Sequence, residues 1–286
     1  MVRSKNDKAF DLLVYGILLF ILLITLIPVL FVVSMSFTPY AELIKRGGFV
    51  LIPTKFTMAA YREMLRDGLL LGGMWITVQV TVIGTILNLI ATTLTAYPLS
   101  RRQMPGSKLV TKLIIFTMLF SAGTIPTYLI VKATGVMNTI WAMILPSLIT
   151  VYNLIVMKAF FEGLPEELFE AARLDGATEF GVLIKIVMPM SLPIMMTIGM
   201  YYAVTHWNAY MVAVLYISDA ELRPMQVILR RMLKSANMDT TSVEDVVPAE
   251  TLRMAAVCFA TAPIVVIYPF IQKYFVKGTL AGAVKG

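Results

Sequence analysis

Six stretches of this chain are too apolar and too long for a water-soluble fold: approximately Leu12–Met35, Gly72–Leu99, Leu109–Val131, Ile140–Phe161, Met190–Ile217 and Met254–Phe275. About 20 residues at 1.5 Å rise cross the hydrocarbon of a bilayer, so apolar runs of roughly 18 or more read as membrane helices. In lipid such a run has to satisfy its own backbone N–H and C=O groups, which a helix does. The expectation is an all-α membrane protein, one polytopic domain over residues 1–286 with six transmembrane helices. A loop at 162–189 and a tail at 276–286 complete it. The composition agrees, with 58% hydrophobic and 14% charged residues, against about 25% charged in soluble domains.

Arg3, Lys5 and Lys8 precede the first window in the manner of a signal peptide. The apolar stretch is too long for one, however, and nothing resembling a mature domain follows Ser34-Met35-Ser36, so it reads as a retained span. Cys258 is the only cysteine, which excludes an internal disulfide. The net charge of +7 has no basic cluster interleaved with aromatics behind it, so nucleic acid is not an expected partner. The charges sit at span ends, where they orient the helices or snorkel to lipid headgroups. Total Lys and Arg on the two sides come out nearly equal, because the longer segments 37–71 and 218–250 carry Lys45, Arg46, Arg230 and Arg231. The concentrated signal is "SRRQMPGSK" at Ser100–Lys108, three cations and no acid, which places both termini in the cytoplasm. Each longer segment contains a short amphipathic helix, one with Thr57 as its cap and one opened by Pro224.

Between the fourth and fifth windows lies "LPEELFEAARLDGATEFGVLIKIVMP", Leu164–Pro189. Glu162 just ahead of it and Glu166, Glu167, Glu170, Asp175 and Glu179 within it form an acidic cluster. Each acid at a span centre costs about 2.5–3.5 kcal/mol, so burying six in lipid would cost on the order of 15–20 kcal/mol; the stretch lies outside the hydrocarbon. Pro165 and the acids behind it mark a helix N-terminus. Ala171 and Ala172 keep its surface low, and Gly176 permits a turn. Thr178 caps a second helix that is expected to end at Pro189. By itself this is a helix–turn–helix bracket on the membrane surface, either a docking element or an ordinary amphipathic loop.

The spacing Glu170-Ala171-Ala172, three residues, Gly176, nine residues, Ile186, one residue, Met188-Pro189 resembles the EAA loop of binding-protein-dependent ABC importer permeases, with methionine at 188 where that family has leucine. The stretches "IPTYLIVKATGVMNTIWAMILP", "HWNAYMVAVLYISD" and "VKGTLAGAVKG" resemble the carbohydrate-uptake branch, its maltose-type second permease subunit, and the subgroup tied to complex oligosaccharides. The resemblance implies a type I importer permease fold in a bacterial plasma membrane. A coupling helix near Glu166–Thr178, built from Glu170, Ala171, Ala172, Asp175, Gly176 and Pro189, would seat in an ATPase subunit. It further implies a heterodimer with a different permease, two ATPase subunits that bind ATP and Mg, an extracytoplasmic sugar-binding protein, and no cofactor in this chain.

Two polar stripes are candidates for the substrate path. Thr77, Thr81, Thr85, Asn88, Thr92 and Thr95 fall within roughly 80° on the second span, and serve either as contacts between helices or as the wall of a watery channel. Thr197, Tyr201, Thr205 and Asn208 form the second stripe, on the fifth span; tyrosine rings stack on sugar faces and amides bond hydroxyls in both directions. His206 points nearly opposite Asn208 and reads as a packing residue; Trp207 is intermediate, either a substrate-path candidate or an anchor at the outer interface. No acid lies near the middle of any window, against the carboxylates that ion-coupled carriers use. With no Walker glycine loop, metal-ligand cluster or nucleophile–base pair, the chain is expected to be a transport subunit and not an enzyme. An importer of peptides or amino acids, or an ion-coupled carrier, is the alternative.

Overall fold

A computed structural model describes residues 5–66, 68–101, 103–235 and 249–283; Arg3, Arg102 and the final residues of the tail, Lys285 included, lie outside them, as do 236–248 of the second long segment. Every regular element among the described residues is helical. Contacts divide the chain into two compact units, Met1–Leu70 with Leu229–Pro263, and Leu71–Ile228 with Ile264–Gly286.

The first unit begins with α1 (Lys5–Ser36), whose most apolar stretch buries none of its residues within the chain. Its end is held by a collar. Ser34 Oγ donates to Val50 O at 2.9 Å, Tyr61 OH donates to Ser36 Oγ at 2.9 Å, and Met35, Leu43 and Val50 form a small core with Phe31 and Met254. Two short helices build the collar, α2 (Tyr40–Lys45) and α3 (Ala59–Leu65). Thr57 accepts from Ala59 N at 3.2 Å, so it supports the start of α3 although Met58 is the cap position. Glu42 accepts from Thr54 N at 2.8 Å and Lys55 N at 3.2 Å, with Arg46 at 3.3 Å. The Thr54 N–H is the chief reason its carboxyl stays below the usual range.

The second unit is organised on α4 (Leu69–Ser100). The chain continues through α5 (Ser107–Leu119), α6 (Thr124–Ala133), α7 (Trp141–Ile144) with a 3-10 turn at Leu145–Ser147, and α8 (Val151–Glu162). After α8 come α9 (Glu166–Leu174), α10 (Glu179–Val182), a π turn at Leu183–Val187, α11 (Met188–Met190), α12 (Leu192–Trp207), α13 (Met211–Tyr216) and α14 (Met225–Ser235). Pro224 O accepts from Val227 N at 3.0 Å, so the proline does open α14. The last helix is α15 (Ala249–Ala283).

Among the described residues three helices are long and apolar enough to cross a membrane unbroken: α1, α4 and the start of α15; three bent pairs meet the same test together. The windows near 109–131, 140–161 and 190–217 read as continuous in the sequence, yet each is interrupted. Helices α5 and α6 meet at 114°, the α7 segment and α8 at 52°, and the α10–α11 run and α12 at 83°. The interruptions fall beside Gly123 and Pro126, after Pro146, and between Pro189 and Pro193. Proline removes a donor and its ring conflicts with the carbonyl four residues back. The third broken window breaks again at Asn208, where α12 ends before α13 begins.

Close approach of α12 to α4 depends on Gly84. A Cβ there would lie 2.5 Å from His206 Nε2. Below this crossing Ala96, Tyr97 and Leu99 of α4 form one core with Leu154, Met157, Phe161, Phe169, Ala172, Ile198 and Tyr202.

Candidate functional site

The acidic stretch folds as the bracket its residues imply. Pro165 precedes α9, Glu166 and Glu167 occupy its first turn and Arg173 its last, matching the helix dipole at both ends. The helix closes with paired bonds, Ala177 N to Ala172 O at 2.9 Å and Gly176 N to Arg173 O at 3.0 Å. That closure needs a left-handed residue, and Gly176 has φ +73. A Cβ on Gly176 would meet nothing within 4 Å in this chain, so the dihedral, not crowding, calls for glycine. Thr178 then caps α10, accepting from Gly181 N at 3.2 Å.

The second arm differs from expectation. It does not stop at Pro189 but runs through it to Met190, and the bend falls at Ser191. The π turn at Leu183–Val187 widens the helix one turn ahead of the proline, which relieves the conflict between its ring and the carbonyl of residue 185.

The two alanines also separate. Phe169 and Ala172 are buried in the chain's own core, while Glu167, Glu170, Ala171 and Asp175 are exposed and Leu174 is 89% exposed. The outward face is therefore acidic around one large apolar side chain, and Ala172 supports it from beneath.

Two residues at the end of α4 hold both arms. The Arg101 guanidinium lies 3.5 Å from the Phe169 ring centroid and pairs with Glu166 at 3.3 Å. Tyr97 OH donates to Glu179 Oε2 at 2.7 Å, and Arg173 Nε donates to Glu179 Oε1 at 3.4 Å. The Glu179 carboxyl is held below the usual range, first by the Tyr97 hydroxyl and then by Arg173. Arg101 reads in the sequence as an orienting charge, and Tyr97 does not stand out there. Their i, i+4 spacing on one helix face was the available signal.

The α4 stripe turns inward. Thr77 Oγ1 accepts from Met225 N at 2.9 Å, Asn88 Nδ2 donates to Ser147 O at 3.1 Å, and Thr92 Oγ1 and Tyr202 OH are 2.7 Å apart. The hydroxyls of Thr81 and Thr85 and Asn88 Oδ1 are buried without a partner among the described residues. For Thr77, Asn88 and Thr92 the stripe is thus contact between helices. Tyr202, which sequence reading missed beside Tyr201, also accepts from Thr150 N at 3.1 Å.

On α12, Thr197 and Thr205 hydroxyls bond Pro193 O and Tyr201 O of their own helix, at 3.0 and 2.8 Å. Asn208 is the exposed C-cap and donates to Val204 O at 2.9 Å. Tyr201 is 40% exposed, its ring 6.5 Å from that of Tyr152. His206 is buried against Gly84, as a packing residue should be. Trp207 is buried as well, at 7% exposure, and so does not stand at an outer interface of this chain. Among the described residues no hydrogen bond joins Thr81 or Asn88 to Tyr201, Thr205 or Asn208.

Comparison with known proteins places this architecture. The chain is 42% identical to the polygalacturonan/rhamnogalacturonan transport system permease protein YtcP of Bacillus subtilis, over 98% of this chain and 100% of that protein. It is 41% identical to protein LplC of the same organism, covering 100% and 98%. Its fold matches, with TM-score 0.84 and 29% identity over 96% of this chain and 99% of the other, a chain from a bacterial ABC transporter involved in the import of the acidic polysaccharide alginate. Residues 68–280 match the family described as binding-protein-dependent transport system inner membrane component, and this chain, a transport permease, belongs to that family.

Proposed function

We propose that this chain is one of two transmembrane permeases of an ATP-driven importer of oligosaccharides or polysaccharide fragments. Its partners are a different permease, two ATPase subunits that bind ATP and Mg, and an extracytoplasmic sugar-binding protein. It crosses a bacterial plasma membrane six times as a single polytopic domain, with both termini in the cytoplasm. Acidic oligosaccharides are the favoured cargo, because YtcP is named for polygalacturonan and rhamnogalacturonan and the matching structure for alginate.

The observation that carries this reading is the exposed face of α9, where Glu167, Glu170, Ala171, Leu174 and Asp175 surround the Gly176 turn. A leucine at 89% exposure outside the apolar windows is covered when the helix seats in an ATPase. Movement of the ATPases then passes to α4 through Arg101 and Tyr97, and from α4 to α12 through Thr92 and Tyr202. Tyr201 and Asn208, with Thr81 and Trp207, contribute to the substrate path; the Thr205 hydroxyl and the Asn88 amide are already bonded within the protein.

The test uses Ala171→Cys in a Cys258→Ser background. A membrane-impermeant maleimide is expected to label it only after the membrane is opened, and ATPase subunits to protect it. Labelling from outside intact cells would remove the coupling role. Reconstituted with its partners, the chain is expected to support ATP-driven uptake of labelled oligogalacturonides; uptake that needs an ion gradient instead of ATP would remove the importer reading.

A further inference from the structure

On the same side of the second unit as α9, the end of α4 and the helices α5 and α8 enclose a cleft of about 560 Å³. Arg101, Lys108, Lys112 and Lys158 line it with a single carboxylate, Glu162. Two of the cations have partners: Lys158 pairs with Glu162 at 2.6 Å and Arg101 with Glu166 at 3.3 Å. Lys108 and Lys112 have no carboxylate at ion-pair distance among the described residues. They stand one turn apart on α5, a spacing at which like charges repel.

Two further polar groups of the cleft are unmatched in the same sense, although the Ser100 hydroxyl is bonded to Tyr97 O. Thr111 Oγ1 and Arg101 Nε are buried without a hydrogen bond among the described residues. Two ammonium groups, a guanidinium N–H and a hydroxyl all have protons to give. A set of donors converging on one space is satisfied by an anion with several oxygens. Helix α5 starts at this spot with no side chain capping its first N–H groups, which adds potential of the same sign.

We propose that the cleft binds the phosphate of an anionic phospholipid headgroup, with Lys108 and Lys112 as its principal ligands. The same helix exposes Leu109, Leu113 and Phe116, an apolar wall for acyl chains that a free phosphate would not use. Basic sites between membrane helices on the cytoplasmic side suit such headgroups, since that leaflet carries the anionic lipid. The assignment of side rests on the orientation proposed above.

Native mass spectrometry of the full chain, purified in an equal mixture of phosphatidylglycerol and phosphatidylcholine, reads the site directly. Wild type is expected to retain phosphatidylglycerol in preference. Lys108→Gln with Lys112→Gln is expected to lose that preference by roughly tenfold or more, and Lys108→Arg with Lys112→Arg to keep it. If the glutamine pair does not fold, Lys112→Gln alone serves, with a smaller loss. Unchanged retention in a folded glutamine variant overturns the proposal. Displacement by inorganic phosphate overturns the lipid in favour of a free anion. A preference present in the free chain but absent once the ATPases are bound shows that a protein surface fills the cleft, and overturns it too. Retention is read without ATP or sugar, so its failure leaves the importer reading standing, and failed uptake leaves retention untouched.

Discussion

The acidic bracket and the polar face of α12 are both rows of hydrogen-bonding side chains on helices, but they dispose of those groups in opposite ways. In the bracket Glu166 and Glu179 reach across to Arg101 and Tyr97 of another helix, while Glu167, Glu170 and Asp175 remain in the open. On α12 the hydroxyls of Thr197 and Thr205 and the amide of Asn208 turn back to their own helix. The first arrangement ties elements together and leaves an unfinished surface. The second satisfies the helix by itself, so its outer face adapts to what passes. On the function proposed above, force transmission belongs to the former and tolerant contact with a sugar to the latter.

The contrast breaks first, and hardest, at Gly176. Gly176→Asp is expected to insert normally and to reduce ATP-driven uptake more than tenfold, because a side chain in the left-handed region costs about 1–2 kcal/mol and the charge lies on the face proposed to dock. Near-normal uptake would show that the turn is only a link. Next comes Tyr202→Phe, which leaves Thr150 N–H and the Thr92 hydroxyl without their partner; a loss of about 1–3 kcal/mol is expected in thermal unfolding. A double-mutant cycle with Thr92→Val is expected to yield a coupling of about 0.6 kcal/mol.

Tyr97→Phe is expected to cost about 1 kcal/mol at neutral pH and to weaken coupling between ATP hydrolysis and uptake. Glu179 has a depressed pKa in the fold, so its contribution is full above its unfolded pKa and is lost as pH falls through the folded one. The difference between wild type and Tyr97→Phe should therefore shrink below pH 4.5, the ordinary value for this carboxyl. A constant difference across that range would deny the bond its charge-assisted character. Smallest is Thr205→Val, expected to change stability by under about 0.5 kcal/mol with KM unaltered. By contrast, Tyr201→Ala with Asn208→Ala should raise KM while ATP hydrolysis stays coupled. A wild-type KM in both variants would move sugar contact off α12.

The bracket was legible because its cues are local. Pro165, Gly176 and Thr178 act within a few residues, and Gly176 adopts the positive φ that its place after a helix implies. The apolar windows were legible as lengths of chain. Their interior breaks were not, since Gly123, Pro146 and Pro193 sit inside stretches whose average polarity does not change. Burial was legible only in part: His206 reads correctly, but Trp207 is buried and Ala172 is covered by core residues distant in sequence. Arg101 carries a charge that positional rules explain at once, which hid its place over the Phe169 ring.

Leu174 has a consequence for the life of the subunit before assembly. With 89% of its surface in water, it makes the lone chain a ligand awaiting its receptor, and by mass action any species that covers it stabilises the folded form in proportion to its own abundance. On the docking proposed above, co-synthesis of the ATPase becomes a determinant of how much permease survives in the cell, and orphaned copies present the same leucine to chaperones and proteases.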